Sequence, residues 1–389
     1  MTDTPSKHIV LTAGGTGGHM FPARALASEL LARGHRVSLF TDSRGEGFGE
    51  GLSEVEVYRL PGSGVAGGNI IRKFISLTRI FKGTMQARKL LKTLQADAVV
   101  GFGGYAAVPA SWAAGQVRIP LYLHEQNAVL GRANLLLANR AKAICTSFRK
   151  VSKIPASALE RVIMTGNPVR ANITAIGQQP YPETGEQSPV RLMVTGGSQG
   201  ASVFNSLVPE ALGKLPGTLR KRIHIAQQVR GDEQEIISAR YQDAGISCDL
   251  RAFFDDMPDQ LQNCHLMICR AGASTVTELA AAGIPAILVP YPYATDDHQT
   301  ANANDVADAG GGWMMPQDSL NAEGLSGQLK ALLENPETLQ QAARSALSLA
   351  QPKAAARLAD VVCGQIKPSR DGADPFQTQP QQTTEETAA

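Results

Sequence analysis

Short apolar runs alternate with longer amphipathic segments along most of the chain. Apolar residues 8–13 and 37–40 flank a helical pattern over residues 22–33. Apolar runs of this length indicate buried strands, so this region predicts a strand-loop-helix-strand unit. Two further runs, 98–101 and 121–123, are separated by helical stretches. The alternation predicts a parallel, doubly wound α/β sheet.

The second half of the chain repeats this pattern. A strand-like run over residues 190–195 leads through a glycine loop into a helix, and the runs 266–269 and 286–289 flank another helical pattern over 274–282. A polar region with Pro and Gly separates the halves. We predict two Rossmann-like domains facing a cleft, with these bounds: residues 1–166, a linker over 167–189, a second domain over 190–366 whose last helix could return to the first, and a disordered tail over 367–389.

Composition suits this picture and adds a local charge bias. The 389 residues are 43% hydrophobic, enough for two domains with separate cores, and 37 basic against 35 acidic residues give a net charge of +2. Near-neutrality argues against nucleic acid as a partner. However, no Asp or Glu occurs over residues 57–96. That segment contains eight cations: Arg59, Arg72, Lys73, Arg79, Lys82, Arg88, Lys89 and Lys92.

The five cysteines include no Cys-x-x-Cys pair, which favours buried free thiols in a reducing cytosol over a disulfide framework or a zinc site. The residues before the first strand show no signal-peptide pattern, so export is not expected. Two uncharged stretches, 98–117 and 279–295, are interrupted by Gly and Pro. We interpret them as buried strands and loops rather than membrane spans.

Two glycine-rich loops follow predicted strands, at residues 14–19 and 196–201. Such loops let backbone amides approach a ligand, and the positive end of the next helix suits a phosphate. A purely structural turn is the alternative for either loop, and the pair favours a nucleotide ligand. The first loop does not fit the Gly-x-Gly-x-x-Gly fingerprint, because the third glycine position counted from Gly15 is Met20. Walker A, Tyr-x-x-x-Lys and Asp-x-Asp patterns are absent from the sequence. We therefore expect no dinucleotide cofactor, no ATPase activity and no metal-held diphosphate.

Polar side chains at the predicted loops suggest further chemistry. His19 ends the first glycine loop and could accept a proton from a hydroxyl, or could merely cap the loop. Residues 124–127, His-Glu-Gln-Asn, follow a strand and suit sugar recognition or a structural turn network. Arg170 could meet a phosphate or be a solvated linker residue. Glu278 fits a capping box that begins at Thr275, and equally fits a ribose contact.

Six segments, at residues 14–19, 101–105, 124–127, 166–170, 196–201 and 270–278, together resemble one family. It is the bacterial peptidoglycan glycosyltransferases that transfer N-acetylglucosamine from UDP-N-acetylglucosamine to lipid I and so form lipid II. The resemblance runs in order from about residue 8 to residue 362. It implies the GT-B fold and an inverting, metal-independent transfer without a cofactor, for cell-wall synthesis.

The resemblance also implies which positions bind the donor. Asn127 would contact the N-acetylglucosamine, Arg170 and Ser198 the phosphates, Phe254 the uracil and Glu278 the ribose. The full set of implied substrate-binding positions is Thr16, Gly17, Gly18, Asn127, Arg170, Ser198, Phe254, Ala273, Ser274, Thr275, Val276, Thr277, Glu278 and Gln299. The chain departs from the family's Gln-Gln pair at His298-Gln299, after a loop that looks one residue longer.

For the reaction, the resemblance favours His19 as the base that deprotonates the C4 hydroxyl of the muramyl sugar, with Glu125 as second candidate. Two alternatives remain open from the sequence. One is another GT-B transferase with a different acceptor. The other is a non-catalytic nucleotide-sugar sensor, which would keep both glycine loops but would not need His19.

A lipid-linked acceptor implies contact with a membrane. Apolar residues recur at helical spacing over residues 69–82 with cations between them. The predicted membrane-associating residues are Ile70, Ile71, Arg72, Lys73, Phe74, Ile75, Arg79, Ile80, Phe81 and Lys82. A core helix flanked by solvated cations is the alternative. The expected location is peripheral, on anionic lipid at the cytoplasmic side of the inner membrane, with other cell-wall synthesis proteins as further partners.

Overall fold

The computed structural model describes residues 5–14, 17–42, 52–61, 70–183, 185, 187–197 and 200–368, with only the backbone described for residues 70–75. Of the predicted tail, residues 369–389 lie outside this part of the chain, as do Thr16 and Ser198.

The first half forms a sheet of seven parallel strands among the described residues, in the order β3-β2-β1-β4-β5-β6-β7. The strands are β1 (His8–Thr12), β2 (Arg36–Thr41), β3 (Glu56–Arg59), β4 (Ala98–Gly101), β5 (Leu121–Glu125), β6 (Ala143–Thr146) and β7 (Val162–Met164). Every residue of β1, β4, β5 and β6 is buried, as expected for parallel strands covered on both faces.

The second half forms a parallel sheet of six described strands, in the order β10-β9-β8-β11-β12-β13. The strands are β8 (Val190–Thr195), β9 (Ile223–Gln228), β10 (Ser247–Arg251), β11 (Leu266–Cys269), β12 (Ala286–Leu288) and β13 (Gly312–Met314).

Helices cover both sheets. Those of the first half are α1 (Gly17–Ala32), α2 (Ile70–Thr93), α3 (Val108–Gln116) and α4 (Arg132–Leu137), and α5 (Ala171–Ile176) lies in the connection between the halves. The remaining helices are α6 (Val203–Gly213), α7 (Gly217–Arg220), α8 (Gln234–Asp243), α9 (Met257–Gln262), α10 (Ala273–Ala282), α11 (His298–Asp308), α12 (Ala322–Leu333), α13 (Pro336–Ser348) and α14 (Ala354–Val362).

The strand orders locate the crevices where ligands bind. In each sheet the chain adds strands first on one side of the starting strand and then on its other side. This change of side falls between β1 and β4 in the first sheet and between β8 and β11 in the second. Doubly wound sheets bind ligands beyond the carboxyl ends of the strands at this reversal. Helices α1 and α10, which follow β1 and β11, contact each other, so the two crevices face one cleft. The predicted pair of Rossmann-like domains in the GT-B arrangement is confirmed.

Two elements differ from the sequence prediction in ways that affect the cleft. Helix α1 begins at Gly17 rather than residue 22, and Pro22 lies inside it. A proline there removes one helical hydrogen bond, which the rest of this buried helix tolerates. Strand β5 continues through His124 and Glu125, which are both buried rather than placed after the strand. The polar side chains therefore begin within the strand itself. The pattern of apolar and polar residues in the sequence does not predict this.

The chain passes from the first half to the second near Gly166 and returns near Gln351, and these two crossings pack together. Gly166 has φ +85°, and a Cβ built on it would lie 2.6 Å from Cβ of Gln351. After this second crossing, α14 packs on α1, and its Leu358 and Val362 join the core of the first sheet. Asp360 accepts a hydrogen bond of 2.6 Å from Arg33. The final helix is thus part of the N-terminal domain.

Candidate active site

His19 lies in the first turn of α1, against the loop that follows β4. Its Nδ1 lies 3.0 Å from Oε1 of Gln126. Its ring packs on Gly103 and Gly104, which adopt φ values of +84° and +72°. A Cβ on Gly104 would lie 3.3 Å from Cδ2 of the imidazole. These glycines therefore provide both the turn and the room for the ring.

The surroundings of His19 favour its neutral form. Burial lowers the pKa of His19 below its ordinary 6.5, and His298 on α11 lowers it further. The hydrogen bond to Gln126, the charge of Glu125 and the backbone of Phe102 oppose this without reversing it. A general base must be unprotonated to act, so a lowered pKa keeps His19 competent at neutral pH.

His124, behind Gln126, is completely buried at the end of β5. Its Nε2 lies 3.1 Å from the carbonyl oxygen of Gly166, and its Nδ1 lies 3.0 Å from Nε2 of Gln126. Burial lowers the pKa of His124 to about 4, so its ring is neutral. The three side chains form one continuous chain of hydrogen bonds from the interdomain crossing to His19.

Glu125 is buried among donors that occupy both of its carboxylate oxygens. Oε1 accepts from the backbone and side-chain nitrogens of Asn127, at 3.1 and 3.3 Å. Oε2 accepts from the Gly131 backbone at 2.9 Å and from Asn134 at 2.8 Å. These four donors hold the carboxylate in place and fix the loop after β5.

Asn302 joins the two domains at the base of the cleft. It is fully buried on α11; its Oδ1 accepts from the Ala128 backbone at 2.8 Å, and its Nδ2 donates to Asn127 Oδ1 at 3.1 Å and to the Ala271 carbonyl at 3.0 Å. The sequence does not single out Asn302, because burial of one polar helix residue cannot be recognised from its neighbours. Through it, the predicted sugar-binding residue Asn127 is held from the opposite domain.

Replacing Asn302 with aspartate tests this link. Aspartate can still accept from Ala128 but cannot donate to Asn127 or Ala271, so we expect the free energy of unfolding to fall by about 1–3 kcal/mol. Donor kcat/KM should fall with it, measured by initial rates beside thermal denaturation. Asn263→Asp, at the exposed end of α9, is the matched control. Equal Tm and kcat/KM for Asn302→Asp and the unmodified protein would contradict a linking role.

Arg170 and Glu278, predicted to contact different parts of the donor, lie together. Oε1 of Glu278 accepts from Arg170 Nε at 3.1 Å and from its terminal nitrogen at 2.9 Å. Burial raises the pKa of Glu278, and Arg170 partly offsets this. The Arg170 guanidinium also lies 5.0 Å from the ring centre of Phe21 on α1. The pair is thus at the junction of the two domains, beside the N-terminal turns of α1 and α10.

The capping-box interpretation of Glu278 is wrong. Helix α10 starts at Ala273, with Gly272 at its N-cap and no side-chain cap. Glu278 is therefore the sixth residue of the helix, too far along it to reach the cap. The helix starts before Thr275, where a capping box would place its N-cap.

The other predicted positions on α10 differ in burial according to the face of the helix on which they lie. Ala273 and Val276 are buried in the core of the second sheet, whereas Ser274 and Thr275 are half-buried at the helix start. Thr277 accepts a hydrogen bond of 3.0 Å from Asn167 of the interdomain connection. The hydroxyl oxygen of Ser274 is itself buried and has no hydrogen-bond partner among the described residues.

The two adjacent phenylalanines after β10 also differ in exposure. Phe254, predicted at the uracil, is 2% exposed and packs in the core with Leu261. Phe253 is 59% exposed. A buried ring cannot offer a face to a base, so we expect the side chain of Phe253, rather than that of Phe254, to pack there.

Gln299 is the second residue of α11, and its Oε1 accepts from the Tyr291 backbone at 2.9 Å. The preceding loop holds Asp296 at φ +56°, where it forms ion pairs with Arg132 at 3.1 Å and Lys153 at 2.9 Å. This loop therefore ties α11 to the N-terminal domain. Gly17 and Gly18, the first residues of α1, lie half-buried beside His19.

The predicted membrane segment lies on α2. Side chains 70–75 are outside the described part. Beyond them, Phe81 is 67% exposed, Arg79 and Lys82 are exposed, and Ile80 is half-buried. No helix in the described residues is long and apolar enough to cross a membrane. The same residues contain no group of three or more His, Cys, Asp or Glu side chains that could hold a metal ion.

Comparison with known proteins places both halves in one family. Residues 9–146 match the glycosyltransferase family 28 N-terminal domain, and residues 191–358 match the glycosyltransferase family 28 C-terminal domain. The crystal structure of MurG from Acinetobacter baumannii is similar at 35% identity with a TM-score of 0.74, covering 92% of this chain and 99% of that one. A UDP-glucosyltransferase from Polygonum tinctorium, at 13% identity and a TM-score of 0.67, shares the fold.

Relatives of known name match over nearly the whole chain. A protein of Rhodospirillum centenum is 52% identical over 92% of this chain and 94% of its own length, and one of Paramagnetospirillum magneticum is 48% identical over 94% and 98%. Both are named UDP-N-acetylglucosamine--N-acetylmuramyl-(pentapeptide) pyrophosphoryl-undecaprenol N-acetylglucosamine transferase. With both domain models matched and these identities over almost its full length, the chain belongs to glycosyltransferase family 28, in the group that these transferases form.

Proposed function

We propose that this protein transfers N-acetylglucosamine from UDP-N-acetylglucosamine to the C4 hydroxyl of the muramyl sugar of lipid I, forming lipid II. The names of relatives at 48–52% identity support the substrates. The observation that supports the chemistry is the neutral, hydrogen-bonded His19 at the start of α1, in a cleft lined by both domains. The reaction is proposed to invert the anomeric centre and to need no metal.

In the proposed step, His19 removes the proton of the C4 hydroxyl as its oxygen attacks the anomeric carbon of N-acetylglucosamine. The bond from that carbon to the diphosphate breaks in line, and UDP leaves with the electron pair. Negative charge then grows on the diphosphate. We expect the positive N-terminal ends of α1 and α10, with Arg170, to stabilise it.

Arg170 and Glu278 support the proposed donor orientation. Their direct contact at 2.9 Å supports an arrangement in which one nucleotide reaches both, with its phosphates towards Arg170 and its ribose towards Glu278. Phe253 is proposed at the uracil and Asn127 and Gln299 at the sugar. Thr16 and Ser198 remain proposed diphosphate contacts from the sequence alone.

The decisive experiment is a transfer assay with labelled UDP-N-acetylglucosamine and a lipid I analogue. We expect a disaccharide lipid and release of UDP. Transfer to a different lipid or a soluble acceptor, but not to lipid I, would instead favour another GT-B transferase. Tight donor binding without transfer to any acceptor would favour a nucleotide-sugar sensor.

We further propose that α2 docks on anionic lipid at the cytoplasmic face of the bacterial inner membrane. Leu77, Phe81 and Met85 recur at intervals of four residues and are 58%, 67% and 47% exposed. This spacing places them on one helix face, and exposed Lys82 lies beside it. An apolar face with neighbouring cations suits the interface of an anionic bilayer, where the lipid-linked acceptor resides. Other cell-wall synthesis proteins are proposed as further partners.

Changing Arg72, Lys73, Arg79 and Lys82 to glutamine should weaken binding to phosphatidylglycerol-containing vesicles by about 1 kcal/mol for each cation that reaches the surface. Sedimentation with vesicles measures this. Lys330→Gln, at an exposed position of α12 in the other domain, controls for the loss of a surface cation away from α2. Undiminished binding of the fourfold variant would exclude α2 as the docking surface.

A further inference from the structure

The structure assigns His124 and Gln126 as positioning residues that fix the proton of His19 on Nδ1 and leave Nε2 to accept the hydroxyl proton. This inference rests on the proposed function in taking His19 as the base. It concerns a different property, namely the ring nitrogen of His19 that carries the proton. The hydrogen-bond chain that ends at the interdomain crossing determines it.

The first step of the chain is set by a group that can only accept. The carbonyl oxygen of Gly166 lies 3.1 Å from Nε2 of His124. Since a carbonyl has no proton to donate, Nε2 of His124 must be the protonated nitrogen. Neutral His124 then has an unprotonated Nδ1, which can only accept. The ring is fully buried, so it makes no contact with bulk solvent.

The second step orients the amide of Gln126. Its Nε2 lies 3.0 Å from Nδ1 of His124 and 3.1 Å from the carbonyl oxygen of His124. Both of these atoms are acceptors, so the amide nitrogen must face them. Rotating the amide by 180° would replace two hydrogen bonds by two contacts between acceptors in a buried site. The amide orientation is therefore determined by its partners.

The third step follows from this orientation. With its nitrogen directed to His124, Gln126 presents Oε1 to His19, 3.0 Å from Nδ1. That oxygen only accepts, so Nδ1 of His19 donates. A neutral imidazole has one N–H, and Nε2 of His19 is left with a free electron pair. The tautomer of the base is thus set, through three hydrogen bonds, by the backbone of Gly166.

This arrangement would contribute to rate by keeping the base in one tautomer. A histidine without such partners divides between tautomers, and the wrong one cannot accept a proton at Nε2. Gly166 lies where the chain passes from one domain to the other and is tightly packed against Gln351. The orientation of the base is therefore linked to correct packing of the interdomain crossing.

The tautomer can be observed directly in the full-length protein labelled with 15N-histidine. Two-bond 1H–15N correlation spectra distinguish protonated from unprotonated ring nitrogens, and the spectrum of His19→Gln identifies the His19 signals among the seven histidines. We expect Nδ1 of His19 to be protonated near neutral pH. Protonation at Nε2, with the backbone of Phe102 as the partner, would overturn the inference.

Variants of Gln126 test the effect on the reaction. Gln126→Met removes both links, so we expect mixed tautomers at His19 and a kcat reduced about tenfold or more, with donor KM little changed. Gln126→Glu keeps an acceptor at Nδ1 but adds a charge beside His19, which already faces Glu125 and His298. The added charge should raise the pKa of His19. As the pH is lowered, the kcat of Gln126→Glu should therefore begin to fall at a higher pH than the kcat of the unmodified protein.

His8→Gln is the matched control, because His8 is another buried, hydrogen-bonded histidine of the same sheet, outside this chain of bonds. It should leave the His19 spectrum and kcat unchanged. Full kcat and an unaltered His19 spectrum in Gln126→Met would overturn the inference. Absence of transfer by the unmodified protein would instead refute the proposed function, while its spectrum would still decide the tautomer.

Discussion

Replacing His19 with alanine is expected to lower kcat for transfer by about 10²- to 10⁴-fold, the usual contribution of a general base. The donor should still bind with nearly unchanged affinity, because the residues proposed to hold uridine and phosphate lie mainly on the second domain. Calorimetric titration with UDP-N-acetylglucosamine, beside steady-state rates, separates the two effects. Near-normal turnover would remove His19 as the base.

The pH dependence of kcat provides a second measure of the same residue. Burial lowers the pKa of His19, so the neutral, active form persists below the ordinary value of 6.5. The rate should stay level across neutral pH and decline only as the solution becomes acidic enough to protonate the ring. A decline centred above 6.5 would mean that another group controls the rate.

Gly166→Ala is expected to have the largest effect on stability. Alanine would occupy a φ of +85°, which costs about 1–3 kcal/mol. Its Cβ would also lie 2.6 Å from Cβ of Gln351 and 3.0 Å from Cβ of Ala354, and overpacking of this kind costs about 1–3 kcal/mol more. Urea denaturation followed by circular dichroism measures the shift of the midpoint.

The same substitution at Gly327 is the control. Gly327 lies within α12, and no atom comes within 4 Å of a Cβ built there. Alanine should stabilise the helix by about 0.5–1 kcal/mol through its higher helix propensity. If both substitutions raised stability, the tight packing described at the interdomain crossing would be refuted.

The fold was predictable from the sequence because its signals are local. Apolar runs such as 98–101, 190–195 and 266–269 coincide with strands β4, β8 and β11. Glycines that follow strands mark the loops at the cleft. The start of α1 was harder to place, since Pro22 is a common first residue of a helix and here lies within one.

The site was predictable in its composition but not in its contacts. Sequence motifs single out His19, Arg170 and Glu278, yet contacts between residues over 100 positions apart depend on how the domains pack. Burial is the other missing information. It separates exposed Phe253 from buried Phe254, and it makes Asn302 a bridge rather than an ordinary helix residue.

The return of α14 to the first domain limits how this protein can be divided. A fragment that ends at the first crossing would lack Leu358 and Val362, and would expose the apolar surface of α1 that they cover. A fragment that begins after that crossing would have an amphipathic C-terminal helix with nothing to pack on. The N-terminal domain is discontinuous in sequence, so producing it alone would require joining residues 354–362 to it through a new connection.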